Sequence, residues 1–198
     1  MQKNKRVVIS GSPGSGKTAV IECLKNKGYS IFEEFSRSLI KDYQSRGITN
    51  LFLSAPLKFS EQLLEVREKQ FIDSEKIFQA KSQVVFFDRG IHDTYAYLKA
   101  TGQENLNFKE KVYSFKYDLV FLLTPWEKIF KKDNERLENF SQAKMYYIYI
   151  KKAYSIQHKV IELPQGSIEE RVFFIAVSYT HLRAHETRGN LVCRLLRE

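Results

Sequence analysis

The sequence predicts an α/β fold: a five-stranded, mainly parallel sheet between two layers of helices. Three observations predict it. A short apolar run, Val7-Val8-Ile9, leads through a glycine-rich octapeptide into a helical pattern, Ala19-Val20-Ile21-Glu22-Cys23-Leu24-Lys25. Two unbroken apolar runs, Val84-Val85-Phe86-Phe87 and Leu119–Leu123, have the character of strands buried on both faces. Helical periodicity fills the intervals between the runs, the alternation expected of parallel strands with helical crossovers.

The elements follow in order. Arg6–Ser10 is the first strand, and a helix extends from the octapeptide to about Lys27, where Gly28 supplies a stop. Tyr29–Phe32 reads as the second strand and ends at Glu33-Glu34. A helix from about Phe35 to Arg46 is closed by Gly47. Ser54-Ala55-Pro56 is a helix-start signal. It opens a long amphipathic helix expected through about Ala80, with Leu57, Leu63, Leu64, Phe71 and Phe78 as its core face. The third strand, Val84–Phe87, ends at Asp88-Arg89-Gly90; the fourth ends at Thr124-Pro125-Trp126. Val160–Leu163 is the fifth, and Ser167 with Glu170 forms a capping-box signal for a last helix. Tyr146, Tyr147, Tyr149 and Tyr154 are expected to pack a helix rather than to stack bases.

The octapeptide is Gly11-Ser12-Pro13-Gly14-Ser15-Gly16-Lys17-Thr18, a complete G-x-x-x-x-G-K-[ST] phosphate-binding loop. Gly11, Gly14 and Gly16 allow positive φ and close approach to phosphate oxygens. The successive amides form an anion nest at a helix N-terminus. Pro13 stiffens the loop at a position whose N–H the nest does not need. Lys17 is expected to reach the β- and γ-phosphates, and Thr18 to offer its hydroxyl to Mg²⁺.

In open α/β sheets, ligands bind beyond the carboxyl ends of the strands. Asp88 lies at one such end and is the candidate Mg²⁺ carboxylate. The plainer alternative is that it N-caps the following helix. Arg89 beside it is a substrate contact or a structural ion pair. Glu33-Glu34 lies at another strand end, with Arg37 one turn into the next helix. Glu34 is the candidate acceptor of a proton from a substrate hydroxyl, the alternative being a solvated acidic helix start. In the charged stretch after the fourth strand, Arg136 is the candidate lid arginine, ahead of Lys131 and Lys132. A solvated charged face is the plain reading there.

Composition bounds the rest. At 198 residues, 43% of them apolar and 14% aromatic, one globular domain is expected. No apolar run approaches the roughly 20 residues that span a bilayer, and the first strand begins too early to leave room for a signal peptide. Two cysteines, Cys23 and Cys193, form no disulfide framework, which suits a cytoplasmic protein. Cys23 is expected in the core. The net charge of +9 fits a lysine-rich surface plus a phosphate site. Nucleic acid is not an expected partner, because no basic run is interleaved with stacking aromatics.

The tail differs. All 21 lysines lie at or before residue 176, while residues 177–198 hold four of the 11 arginines, His181, His185 and Cys193. Residues 177–187 resemble a recurrent translation of sequencing-adapter DNA. The expected domain is therefore 1–176, with 177–198 a non-native tail.

Taken together, GSPGSGKT at 11–18, EEFSR at 33–37, FFDRG at 86–90 with Tyr95 and Tyr97, YDLVFLLTPWE at 117–127, DNER at 133–136 and GSIEERV at 166–172 resemble a family of small P-loop ATPases. The family is of AAA-type label and related to nucleoside kinases and ribosylnicotinamide kinase. The resemblance covers about Lys5 to Ile175. It implies a P-loop NTPase sandwich with kinase-like strand order. It implies Lys17, Thr18 and Asp88 as ATP·Mg²⁺ residues, Glu34, Arg37 and Arg89 in the substrate pocket, and Arg136 as the lid arginine. It names no acceptor substrate.

The expected function is transfer of the ATP γ-phosphoryl group to a small, nucleoside-like molecule. The alternatives are an ATPase that drives a protein partner and a non-catalytic nucleotide switch. A GTPase is disfavoured, since no Asn/Thr-Lys-x-Asp motif follows the fourth strand. A transporter ATPase is disfavoured, since no Leu-Ser-Gly-Gly signature occurs. Oligomeric state is left open.

Overall fold

A computed structural model describes residues 4–48, 54–77, 84–130 and 139–179. The elements are β1 (Lys5–Gly11), α1 (Lys17–Asn26), β2 (Ser30–Phe32), α2 (Ser36–Ser45), α3 (Pro56–Asp73), β3 (Val84–Asp88), α4 (Ile91–Ala100), α5 (Leu106–Tyr113), β4 (Leu119–Leu123), α6 (Phe140–Ser155) and β5 (Val160–Leu163). A 3₁₀ turn spans Glu127–Ile129, and residues 168–179 form α7. The five strands make one sheet in the order β2-β3-β1-β4-β5. Every pairing is parallel, so the expected sheet is fully rather than mainly parallel.

Alternation along β1 divides the core. Val8 joins Phe87, Val120, Leu122, Ile91, Leu98, Ile150 and Tyr154 on the face covered by α3–α6. Val7 and Ile9 join Phe86, Phe121, Leu123, Ile21, Leu24, Val172 and Ile175 on the face covered by α1 and α7. The period of two in the strands thus builds two cores from continuous apolar runs. Cys23 packs at the edge of the second, as its neighbours predict. Tyr146 and Tyr154 are buried, and Tyr147 and Tyr149 pack on the first core, so the tyrosine row is packing.

Helix α3 ends earlier than its periodicity predicts. Turns follow Asp73, and residues 78–80 lie outside the described residues. Tertiary contacts override the pattern there. Arg6 Nε donates to Ser74 Oγ at 2.8 Å, Arg6 Nη2 meets Glu75 at 2.7 Å, and the guanidinium lies 4.0 Å over the Phe71 ring. Asn4 Nδ2 donates to the carbonyls of Ser74 and Ile77. The helix end is thereby tied to the start of β1. The capping box before α7 forms as predicted, with Ser167 N donating to Glu170 Oε2 and Glu170 N to Ser167 Oγ. Helix α7 passes residue 176 without a break, and residues 180–198 lie outside the described residues.

His92, on α4, is fully buried within this frame. Its Nε2 accepts from Gln157 at 2.8 Å, and its ring stands against His158, Tyr154 and Tyr113. Burial, then the neighbouring His158, pushes its pKa down to about 3 from 6.5. The unfolded chain binds this proton more tightly than the folded one. Stability from a neutral His92 is therefore complete above pH 6.5 and declines as pH falls toward 3, by roughly 3–5 kcal/mol in all. His92→Phe should flatten melting temperature against pH across that window. A slope equal to wild type would show that His92 takes its proton without unfolding.

Candidate functional site

The carboxyl edge of the sheet collects the charged residues, and strand order decides their neighbours. With β1 central, the phosphate loop is flanked on one side by the ends of β3 and β2, and on the other by those of β4 and β5. Gly11, Gly14 and Gly16 all take positive φ, at 145°, 72° and 85°. Gly11 packs against the Leu123 backbone, the Phe130 ring covers Gly14, and Ile129 and Arg171 lie against Gly16. Ser15 Oγ donates to Ser12 O at 2.8 Å, closing the turn that contains Pro13. Lys17 and Thr18 open α1, Lys17 pointing inward and Thr18 exposed.

Lys17 Nζ donates to the carbonyls of Gly11 and Ser12, each at 3.0 Å. Burial and then the Arg89 charge push its pKa down to about 7, against the opposing pull of Asp88, Glu34 and Asp93. Asp88 closes β3, opposite Ile9. Burial, followed by Glu34, raises its pKa. Its Oδ1 is buried without a hydrogen-bond partner. Asp88 does not cap the next helix: Gly90 occupies that position, and its N–H donates to Asp93 Oδ2 at 2.9 Å.

Arg89 is buried in a left-handed conformation, φ 67°, the one non-glycine case among the described residues. Its backbone N–H extends the ladder to Ile9 O at 3.0 Å. Its Nε forms an ion pair with Glu34 Oε1 at 2.6 Å, with the N–H off the line of a hydrogen bond. Its Nη1 reaches Tyr97 Oη at 3.1 Å, Gly11 O at 3.4 Å and Asp93 Oδ1 at 3.5 Å. Burial alone would raise the Glu34 pKa. Arg89, Lys17, the Ser36 hydroxyl and Arg67 outweigh it and bring the value to about 2. Glu34 is thus anionic at neutral pH.

The structure brings buried Lys17 and Arg89 and half-buried Asp88 and Glu34 into one cluster beside the loop. Glu33 points away into a surface pair with Lys25. Arg37 is exposed in the first turn of α2, outside the buried charges. Lys131, Lys132 and Arg136 lie outside the described residues. Sequence reading missed Asp93, Arg67 and Arg171. Asp93 three residues after Gly90 was a readable helix-start signal. Arg67 Nη1 donates to Gly90 O at 3.0 Å from a helix distant in sequence, which no local pattern shows. Arg171 Nη1 donates to Ser15 O at 3.1 Å, with its guanidinium 4.8 Å over the Trp126 ring.

A phosphate loop on the central strand, with strand order 2-3-1-4-5 and a carboxylate closing β3, defines the P-loop NTPase fold in its kinase arrangement. An AAA domain family matches residues 6–171, and the chain belongs to that family. No curated protein matches it significantly. A structure of deoxyadenosine kinase from M. mycoides with bound dATP is similar, with TM-score 0.66, 15% identity, and coverage of 88% of this chain and 99% of that one. The same kinase with bound dCTP gives 0.63 at 15% identity, covering 89% and 99%. NadR protein in complex with NR gives 0.62 at 17%, covering 83% of this chain and 46% of that one.

The buried ion pair has a measurable consequence. Arg89→Met leaves Glu34 ionised without its cation and should destabilise the fold by about 3–5 kcal/mol. Adding Glu34→Gln should recover more than half of that loss in urea unfolding. Additive losses would mean that the two residues do not act as a pair.

Proposed function

We propose that this protein is an ATP-dependent kinase for a small, nucleoside-like acceptor. The observation that carries the reading is the geometry at the loop: Lys17 Nζ lies against the Gly11 and Ser12 carbonyls, and Asp88 closes β3 with its Oδ1 unpartnered. Lys17 is pushed toward its neutral form and Asp88 toward its protonated form, within one charge cluster. A phosphate beside Lys17 and a cation beside Asp88 reverse both shifts. Membership of the family and likeness to kinase structures support the same reading.

The loop amides and Lys17 would hold the β- and γ-phosphates. Thr18 and Asp88 are the residues that fit Mg²⁺, Asp88 because its buried Oδ1 lacks any other partner. When bound, Mg²⁺ would neutralise charge on the phosphate oxygens. Arg89 and Glu34, on the β3–β2 side, would orient the acceptor hydroxyl, with Arg37 at the rim of the pocket. The hydroxyl oxygen forms the new bond to the γ-phosphorus as the bond to the bridging oxygen breaks, and ADP leaves. Glu34 receives the hydroxyl proton. Its low pKa suits late proton transfer in a loose transition state, where positioning outweighs base strength. Arg136, outside the described residues, is the candidate lid arginine on the family resemblance. The functional unit is residues 1–176 on this reading; an uninterrupted genomic frame through Glu198 would overturn that boundary.

Lys17→Ala should abolish phosphoryl transfer to a panel of nucleosides headed by deoxyadenosine and ribosylnicotinamide, read as ADP release. Circular dichroism should be unchanged. Turnover equal to wild type would refute the assignment, and ADP release independent of any acceptor would favour the partner-driven ATPase. Nucleotide affinity supplies a second check. Phosphates raise the Lys17 pKa, so binding takes up a proton wherever free Lys17 is neutral. Affinity for a non-hydrolysable ATP analogue should hold below pH 7 and weaken above it, approaching about tenfold per pH unit. Lys17→Arg should remove that dependence.

A further inference from the structure

The carboxylate of Asp93 is fully buried, and four groups from three parts of the chain converge on it. Ser10 Oγ, immediately before the phosphate loop, donates to Oδ1. The Arg89 guanidinium approaches the same oxygen at 3.5 Å. Gly90 N donates to Oδ2 at 2.9 Å, and Tyr154 Oη, from α6, donates to it at 2.6 Å. All four are donors, matched to the acceptor oxygens of a carboxylate. The turn at Gly90 is gripped from the other side as well. Arg67 Nη1 holds Gly90 O, and a Cβ at residue 90 would lie 2.5 Å from Tyr154 Oη and 3.0 Å from both Tyr117 and Val8. This grip sustains Arg89 in its left-handed backbone, where a side chain costs roughly 1–3 kcal/mol.

We propose that Asp93 is a positioning residue that locks the Arg89 guanidinium between Glu34 and the Gly11 carbonyl, fixing the phosphate loop and the acceptor-side pair in one register. The geometry separates this role from simple helix capping. Gly90 N and Tyr154 use Oδ2, whereas Arg89 and Ser10 use Oδ1. In Asp93→Asn, the amide oxygen can keep Gly90 N and Tyr154. The amide NH₂ then donates to the rotatable Ser10 hydroxyl and faces Arg89 donor to donor. Capping survives and the lock is lost. Tyr154→Phe does the reverse: it removes a buried hydrogen bond and leaves the Arg89 contact in place.

What Arg89 positions rests on the kinase reading; the lock itself does not, and the experiment keeps them apart. In ¹⁵N-arginine-labelled protein, a locked guanidinium shows slow rotation and resolved Nη–H resonances. Arg89→Lys assigns them by their loss. Wild type and Tyr154→Phe should show resolved Arg89 signals, even though Tyr154→Phe melts lower. Asp93→Asn should show them averaged. Resolved signals in a folded Asp93→Asn protein overturn the proposal, as does averaging in Tyr154→Phe to the same degree. If Asp93→Asn fails to fold, the variant Ser10→Ala, which keeps the charge contact, decides in its place: resolved signals support the lock and averaged signals overturn it. With deoxyadenosine or ribosylnicotinamide as acceptor, Asp93→Asn should lower kcat at least about tenfold, with the KM for ATP within about threefold. An equal rise in the KM for ATP would overturn the acceptor-side register. A wild-type protein that phosphorylates neither probe counts against the kinase reading, and the resonance test still decides the lock.

Discussion

The Arg89 guanidinium, sealed beneath the carboxyl edge of the sheet, governs the arrangement of the cleft. A buried cation is tolerated only where its charge and its N–H groups are met. Glu34 comes from the end of β2, Asp93 from α4, Tyr97 one turn further along α4, and Gly11 O from the end of β1. Meeting Arg89 therefore requires β2, β3 and β1 to be neighbours in that order. The sheet supplies the order, and the ion pairs hold its ends in register. Gly90 is where this arrangement leaves no room for a side chain.

Lys17, Arg89 and Arg67 stand among Glu34, Asp88 and Asp93, three cations with three acids. The balance is uneven in position. Glu34 lies between positive neighbours and is held low, at about 2. Lys17 and Asp88 are nearest the phosphate loop and are each pushed toward neutrality. Charge is settled away from the loop and unsettled at it. On the proposed reading, a phosphate at Lys17 and a cation at Asp88 would complete these electrostatics instead of competing with internal partners.

The sequence made the fold legible where local rules suffice. The strand–loop–helix start, the unbroken apolar strands and the Ser167–Glu170 box all appear where the pattern places them. Helix α3 is the exception, since Arg6 and Asn4 end it through contacts about seventy residues away in sequence. Within the site, Asp88, Arg89 and Glu34 were legible because they occupy strand ends. Arg37 was grouped with them by its place after Glu33-Glu34 and by the family resemblance, and it is exposed in the first turn of α2. Asp93, Arg67 and Tyr154 were not legible as a set, because the interaction that unites them is three-dimensional. Tyr154 looked like a core aromatic and is one; its hydroxyl carries the additional bond.

The left-handed backbone of Arg89 shows why the cluster must act as a unit. Glycine would take that backbone with less strain but would leave Glu34 and Asp93 without their shared cation. A right-handed arginine would lose the backbone bond to Ile9 O or the reach to Gly11 O. The strain, roughly 1–3 kcal/mol, is sustained by contacts from α3, α4 and α6 that meet at Gly90 and Asp93. Those contacts lie behind the carboxyl edge of the sheet. On the kinase reading proposed above, they would set the aim of a guanidinium that is in place before an acceptor arrives, because a loose phosphoryl-transfer transition state draws its stabilisation from positioning. Rigidity behind the edge and unsettled charge at it are complementary halves of one device.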